Sequence, residues 1–165
     1  MLALALALLL AAPAAAPRTF DVRPGSTLTY RVVHRFHTVT GVSRAVEGKA
    51  RLLPDGTVQV MVRAPLDSFD SGNSNRDAHM REATAAGSHP YVAFKGVGAL
   101  NAPDRYPAEE KLPLRGELTL KTTRPAEIPV AVRFASPGRA TVASTFPVSL
   151  DAHEVERPSL MFVKV

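Results

Sequence analysis

The chain contains neither Cys nor Trp among its 165 residues. Without Cys it has no disulfide, no thiolate metal ligand, no Cys nucleophile and no acylation site of the kind that anchors a bacterial lipoprotein. Aromatic residues make up only 6% of the chain, too few to suggest a stacking platform for nucleic acid. If the protein is exported, its core must therefore stabilise it without a covalent cross-link.

Long apolar runs are scarce too, and the one that exists stands at the N-terminus. Residues 1–10 are all Met, Leu or Ala, and small residues follow as far as Ala16. This order is typical of a signal peptide, and the run is shorter than the roughly 20 residues of a membrane span. Small residues at Ala12 and Ala14 predict cleavage near Ala14. The sequence thus predicts a signal peptide over 1–14, one domain over 15–165, and a periplasmic or secreted protein.

No Lys or Arg precedes the apolar run, which departs from the usual signal peptide. A buried first helix is therefore the alternative interpretation of residues 1–14.

Positive charge is in excess, with a net charge of +5. Such a surface is attracted to anionic lipid head groups, so transient contact with a membrane surface is one expectation and a merely soluble surface is the other. Nucleic acid is not expected as a partner. The basic residues of the early strands are predicted to point outward: Arg18, Arg23, Arg31, Arg35, Arg44, Lys49, Arg51 and Arg63.

The body of the chain alternates between apolar and polar residues with a period of two, which indicates strands with one buried face. Pro and Gly mark the turns, and Pro54-Asp55-Gly56 predicts a hairpin. Alternation alone leaves a sandwich and a closed barrel open. The runs that alternate in this way are 28–36, 46–52, 58–64, 91–98, 114–121, 128–134, 142–150 and 160–165.

One helix interrupts the strands. Ser74 and Asp77 have the spacing of an N-terminal capping box, and good helix formers follow. Gly87 and Pro90 favour an end shortly afterwards. The pattern predicts a helix over 75–84.

Three segments share their order and spacing with a known family. They are 66–82, which includes Asn75-Arg76-Asp77-Ala78-His79-Met80, then 89–96, and then 114–125. In these segments the chain resembles the YceI-like family of exported, lipocalin-like proteins. The resemblance implies an all-β fold, a single antiparallel lipocalin-like β-barrel of about eight strands with one short helix. It also implies a long polyisoprenoid chain as the ligand inside the barrel.

The favoured function is thus non-covalent binding of a long apolar molecule, polyisoprenoid or quinone-like, for transport, storage or stress protection. A filled barrel is the alternative, acting as a ligand-free periplasmic interaction module that supports a membrane redox or stress-response system. The residues expected to line the barrel interior are Tyr30, Val32, His34, Phe36, Val60, Val62, Phe94, Leu118, Leu120, Val130, Val132, Phe146 and Val148.

Polar contact with the head of the ligand is expected from Arg76 or His79, or from His34 inside the barrel. The competing interpretation is structural: Arg76 and its neighbours pin the helix to the barrel by charge-assisted hydrogen bonds.

No His pair has the spacing of a metal site, and no nucleophile motif is present. We therefore expect no enzymatic activity and no cofactor apart from a bound isoprenoid lipid. Whether the protein forms a homodimer is left open.

Overall fold

The computed structural model describes residues 16–33 and 38–156. These residues form strands β1 to β9 and one α-helix, α1, with two short 3₁₀ turns, Leu66–Ser68 and Asp151–His153. The strands are β1 Arg18–Asp21, β2 Leu28–Val33, β3 Thr38–Ser43, β4 Glu47–Leu52, β5 Thr57–Pro65, β6 Tyr91–Ala99, β7 Ala108–Thr119, β8 Thr123–Ser136 and β9 Arg139–Ala143. The helix α1 spans Ser74–Ala83 and connects β5 to β6.

Seven of the strands form one antiparallel sheet in the order β1-β4-β5-β6-β7-β8-β9. The sheet curls into a nearly closed barrel, which confirms the predicted all-β, lipocalin-like architecture. Among the described residues, β2 and β3 form a ladder with each other and with no other strand, as a separate hairpin. The sequence pattern missed β1, because four residues are too few to show a period of two.

Burial follows the predicted alternation along the central strands. On β8 the even-numbered residues Ile128 to Phe134 are all buried, and on β5 the outward Met61 is 51% exposed. Burial of one apolar face is the main force that holds such a sheet together. The main cluster of the barrel consists of Leu52, Val58, Phe94, Leu100, Leu112, Leu114, Leu118, Ile128, Val130, Val132 and Phe134.

The predicted hairpin at Pro54-Asp55-Gly56 joins β4 to β5. Gly56 has a φ of +83°, a left-handed conformation that favours glycine. Its N–H donates to the Leu53 carbonyl at 3.0 Å, and the Thr57 N–H donates to the Asp55 carboxylate at 2.8 Å. These bonds close the turn and set the register of the two strands.

The strand predicted over 142–150 is wrong in most of its length. β9 ends at Ala143, and residues 144–149 leave the ladder. Ser144 holds the departing chain through a bond from its hydroxyl to the Pro129 carbonyl at 2.5 Å. The strand predicted over 160–165 lies outside the described residues.

The segment after β9 is tied back to the turn between β7 and β8. His153 is 4% exposed, and its Nδ1 lies 2.8 Å from the Thr122 carbonyl oxygen. Because a carbonyl only accepts, Nδ1 carries the proton. Lys121 and Arg124 donate to the carbonyls of Glu154 and Ala152 at 3.0 and 2.7 Å. Three hydrogen bonds therefore fix this segment across one end of the barrel.

The β2–β3 hairpin packs on the end of the barrel that carries the helix. Val42 and Asp70 exchange both backbone hydrogen bonds, at 2.9 and 3.1 Å. A second cluster, here the helix-end cluster, is built on Ala64, Leu66 and Phe69. It takes up Leu28, Tyr30 and Val46 from the hairpin and the residues before β4, with Met80, Ala86, Val92 and Leu120.

The N-terminus of α1 differs from the predicted capping box. The cap is Asn73, one residue before Ser74, and its side chain accepts from the Arg76 N–H at 3.0 Å. Asp77 instead accepts from the Ser71 N–H, at 3.1 Å. Asn competes well for this position because its short amide reaches the free N–H groups of the first turn.

The C-terminus of α1 forms a Schellman motif without a glycine. Ala86 N–H donates to the Arg81 carbonyl and Ala85 N–H to the Glu82 carbonyl, both at 2.9 Å. This geometry places Ala85 at a φ of +51°. The predicted stop at Gly87 is therefore two residues late, and an alanine occupies the position that usually belongs to glycine.

We expect Ala85→Gly to stabilise the protein by about 0.5–1 kcal/mol, because it relieves the left-handed strain at a small cost in chain entropy. Ala78→Gly, in the interior of α1, is the matched control and should destabilise by about 1 kcal/mol. Urea unfolding of both variants tests this. An Ala85→Gly variant less stable than the parent would contradict the assignment of the motif.

Candidate ligand-binding site

The inner face of the barrel has a belt of small residues across its middle. Pairing aligns Ala50 of β4 with Val60 of β5, and Val60 with Gly96 of β6. Gly96 pairs in turn with Gly116 of β7, and Gly116 with Ala126 of β8. Four of these five inward positions carry at most a methyl group, so the wall here is nearly bare backbone. We call these five residues the small-residue belt.

The Phe94 ring lies over part of this belt. A Cβ built on Gly96 would stand 2.5 Å from Cζ of Phe94, so the ring occupies the place of the missing side chain. Aromatic rings commonly cover glycines of a sheet in this way. Phe94 is 9% exposed, and its ring fills the space above Gly96.

The predicted interior residues separate into groups by burial. Phe94, Leu118, Val130 and Val132 are buried in the main cluster. Val60, Val62, Leu120 and Phe146 are half-buried. The inner face therefore keeps apolar surface open to solvent. His34 and Phe36 lie outside the described residues.

Three of the predicted interior residues lie elsewhere than expected. Tyr30 and Val32 belong to the separate hairpin, and the Tyr30 ring packs on Phe69 with centroids 5.5 Å apart. Val148 is 39% exposed and follows the end of β9. Alternation marked the inward faces of the central strands β5, β7 and β8 correctly, but it does not reveal which sheet a strand joins.

Polar residues gather where the chain enters α1. Arg76 donates from Nε to the Ser71 hydroxyl at 2.9 Å and from Nη2 to the Ser71 carbonyl at 2.7 Å. The buried Asp77 carboxylate accepts from the Ser71 N–H at 3.1 Å. Both side chains thus hold the loop before the helix, which favours the structural interpretation of Arg76.

His79 is exposed on α1. No cluster of three or more His, Asp or Glu with the arrangement of a metal site occurs in the described ranges. Nor does any helix of residues 16–33 and 38–156 have the length and apolarity needed to cross a bilayer.

Tyr30 joins the helix-end cluster to these polar residues. Its burial and the Asp77 carboxylate raise the pKa of Tyr30, against smaller opposing effects of the Ser71 hydroxyl and the Arg76 guanidinium. The ring also lies against Gly41, where a Cβ would overlap it.

Arg18 corrects one of the outward assignments. It pairs with Leu52, which is 4% exposed, and alternates along β1 with the exposed Thr19. Arg18 therefore points to the inner face. The sequence signal was weak, since only Phe20 two residues later shares that face.

Two grooves open on the surface. One, of about 520 Å³, lies between β7, β8 and residues 143–145 and includes Pro113, Pro129 and Ala131. The other, of about 580 Å³, lies between the end of α1 and Pro90. Both grooves are shallow and open to solvent.

A nearly closed antiparallel barrel with an apolar inner face and one helix at its end defines a lipocalin-like protein. The chain belongs to the YceI-like domain family, which it matches over residues 20–164. This membership confirms the resemblance seen in the sequence.

Two solved structures share the fold. A polyisoprenoid-binding domain from Saccharophagus degradans, implicated in plant cell wall breakdown, superposes with a TM-score of 0.58 at 14% identity, covering 85% of this chain and 77% of that one. BcnA of Burkholderia cenocepacia superposes with a TM-score of 0.58 at 19% identity, covering 86% and 83%. Comparison with curated proteins gives no match. At these identities the likeness establishes the fold alone.

The raised pKa of Tyr30 has a consequence for stability. Above the ordinary value of 10.0 the unfolded chain loses this proton first, so the folded state binds more protons and its stability falls as the pH rises. We expect Tyr30→Phe to lose less stability than the parent as the pH rises. Urea unfolding between pH 8 and pH 11 measures the free energy of unfolding of both proteins. If that free energy falls equally steeply with pH in the parent and the variant, the assignment to Tyr30 is contradicted.

Proposed function

We propose that the protein is an exported carrier that holds one long apolar molecule, polyisoprenoid or quinone-like, against the inner face of its barrel. One observation carries the proposal: inward apolar side chains such as Val60, Val62 and Phe146 are only half-buried. A barrel filled by its own side chains would bury them all.

The small-residue belt supports a ligand that is long and thin. Gly96, Gly116, Ala50 and Ala126 leave a strip of wall on which an isoprenoid chain can lie close to the backbone. Each Å² of apolar surface that the chain and the wall remove from water gains about 25 cal/mol. A ligand of this kind has almost no solubility in water, so a carrier must cover its whole length.

Binding without catalysis fits the same face. The described inward positions of the small-residue belt and of its neighbours on β5 and β6 are apolar, and they offer no acid, base or nucleophile. A solved relative of the same fold is named a polyisoprenoid-binding domain, which agrees with this class of ligand.

Export rests on the N-terminal pattern. Residues 1–14 have the apolar core and the small residues of a signal peptide, and the chain has no Cys that an oxidising compartment would modify. In the periplasm the net charge of +5 would favour brief contact with anionic membrane surfaces, where an apolar ligand is collected or delivered.

A second function is favoured by the position of Phe94. Its ring fills the space over Gly96, so part of the barrel interior is occupied by the chain's own side chains. A protein that stays in this state would act as an interaction module for a membrane redox or stress-response system.

Native mass spectrometry separates the two functions. The exported protein is purified without detergent, and any bound molecule is extracted into organic solvent. A discrete added mass that extracts as an isoprenoid or quinone would support the carrier. A bare mass that stays unchanged after incubation with isoprenoid lipids would favour the interaction module.

Filling the small-residue belt should block the ligand. We expect Ala126→Leu to weaken isoprenoid binding tenfold or more, because the added carbons take the space of the chain while the half-buried position tolerates them. Fluorescence displacement of a bound apolar probe measures the loss, and thermal unfolding checks the fold.

Ala131→Leu is the matched control. Ala131 lies on the same strand but faces outward, into the groove between β7, β8 and residues 143–145, here called the outer groove. It should leave binding unchanged. If Ala131→Leu weakens binding and Ala126→Leu does not, the ligand lies in the outer groove and the interior site is wrong.

A further inference from the structure

A cation stands on the inner face of the barrel at the start of β1. Arg18 pairs with the buried Leu52, and Leu52 pairs with the buried Val58 on the next strand. This row lies at the end of the barrel that carries the turn at Gly56. The helix α1 follows β5 at the opposite end.

Aromatic rings fix the position of the guanidinium. Its carbon lies 5.5 Å from the centroid of the Phe20 ring, within the range of a cation–π contact. Phe20 packs edge-on against Phe134, with centroids 6.5 Å apart, and Phe134 is 2% exposed. The cation therefore rests on a rigid apolar floor rather than reaching freely into solvent.

Within residues 16–33 and 38–156, no acidic group pairs with this cation. Nη2 of Arg18 is buried without a hydrogen-bond partner, and none of the ion pairs formed within the described ranges includes Arg18. The nearest acid along β1, Asp21, faces outward and pairs with Lys49 at 3.4 Å. A buried donor that lacks an acceptor is costly, so an acceptor supplied by a ligand would stabilise this position.

Other arginines of the protein have acceptors for their guanidinium groups. Arg115 pairs with Glu127 at 2.7 Å on the outer face, and Arg76 donates to the hydroxyl and the carbonyl of Ser71. Arg18 differs from both, because it is directed inward and has no hydrogen-bond acceptor among the residues that the structure describes.

We propose that Arg18 binds the anionic end group, a phosphate or a carboxylate, of a lipid whose apolar chain lies along the small-residue belt. A guanidinium offers two parallel N–H groups to such an oxyanion, and the low dielectric of the barrel strengthens the contact. The inference rests on the proposed carrier function. It places the head of the ligand at the end of the barrel away from Arg76 and His79.

The test compares two ligands with the same chain, an isoprenyl monophosphate and the corresponding isoprenyl alcohol. We expect the parent protein to bind the phosphate more tightly by tenfold or more, the effect of a charge-assisted hydrogen bond. Arg18→Gln should lose this preference and keep its affinity for the alcohol.

Arg51→Gln is the matched control. Arg51 pairs with Thr19, next to Arg18 in the ladder, but it is exposed on the outer face. It should keep the preference for the phosphate. Arg76→Gln should keep it too, since that side chain holds the loop before α1.

The outcomes are distinct. If the parent binds both lipids equally, or if Arg18→Gln keeps the preference, Arg18 is not the head-group residue, although the carrier function stands. If the parent binds neither lipid, the carrier function itself fails. If inorganic phosphate binds in an Arg18-dependent manner while the two lipids bind equally, the site takes a free anion and the proposal of a lipid head group is overturned.

The melting temperature of the purified protein without added lipid is an independent test of the role of Arg18. Because Arg18 is unpaired, Arg18→Met should leave the melting temperature unchanged or raise it by about 2–4 °C. A clear fall would show that Arg18 serves the fold, and it would overturn the assignment to a ligand.

Discussion

Strands β6 and β7 meet at a pair of glycines, and the shape of the inner face depends on this contact. A Cβ on Gly116 would overlap the Lys95 carbonyl and the Gly96 Cα, so neither position accepts a side chain while the strands stay this close. Glycine at such a point lets a sheet bend, and bending is what turns seven strands into a barrel. Because neither glycine has a side chain, the middle of the barrel wall is backbone at this point. Phe94 and Leu118 form the neighbouring pair on the same two strands.

The two ends of the barrel are built differently. At the helix end, Ser71, Arg76 and Asp77 satisfy one another, and the helix-end cluster beneath them holds α1 and the β2–β3 hairpin. At the other end, the Arg18 guanidinium lies over the Phe20 ring, and no polar group of the described residues accepts from its buried Nη2. Satisfied polar groups make a fixed cap, whereas an unsatisfied cation above an apolar floor is suited to a ligand with a charged end.

Much of this architecture is readable from local patterns. The inward faces of β5, β7 and β8 follow from alternation, because a strand places successive side chains on opposite faces whatever it pairs with. The helix follows from its composition and the hairpin from Gly56. The wrong predictions coincide with contacts that the local pattern does not contain. The cap of α1 is Asn73 rather than Ser74, and Asp77 accepts from the Ser71 N–H instead of closing a capping box. The strand β9 ends one residue before Ser144, whose hydroxyl donates to the Pro129 carbonyl.

The sequence by itself determined that this is a β-protein with apolar inward faces, one short helix and membership of the YceI-like family, because period, turn chemistry and motif order are local properties of the chain. Only the tertiary structure decided which strands share a sheet, since Tyr30 has the parity of a wall residue but lies in a separate hairpin. It also decided which arginine faces inward. Arg18 and Arg51 are of the same type, and only the pairing of β1 with β4 puts one on each side of the wall.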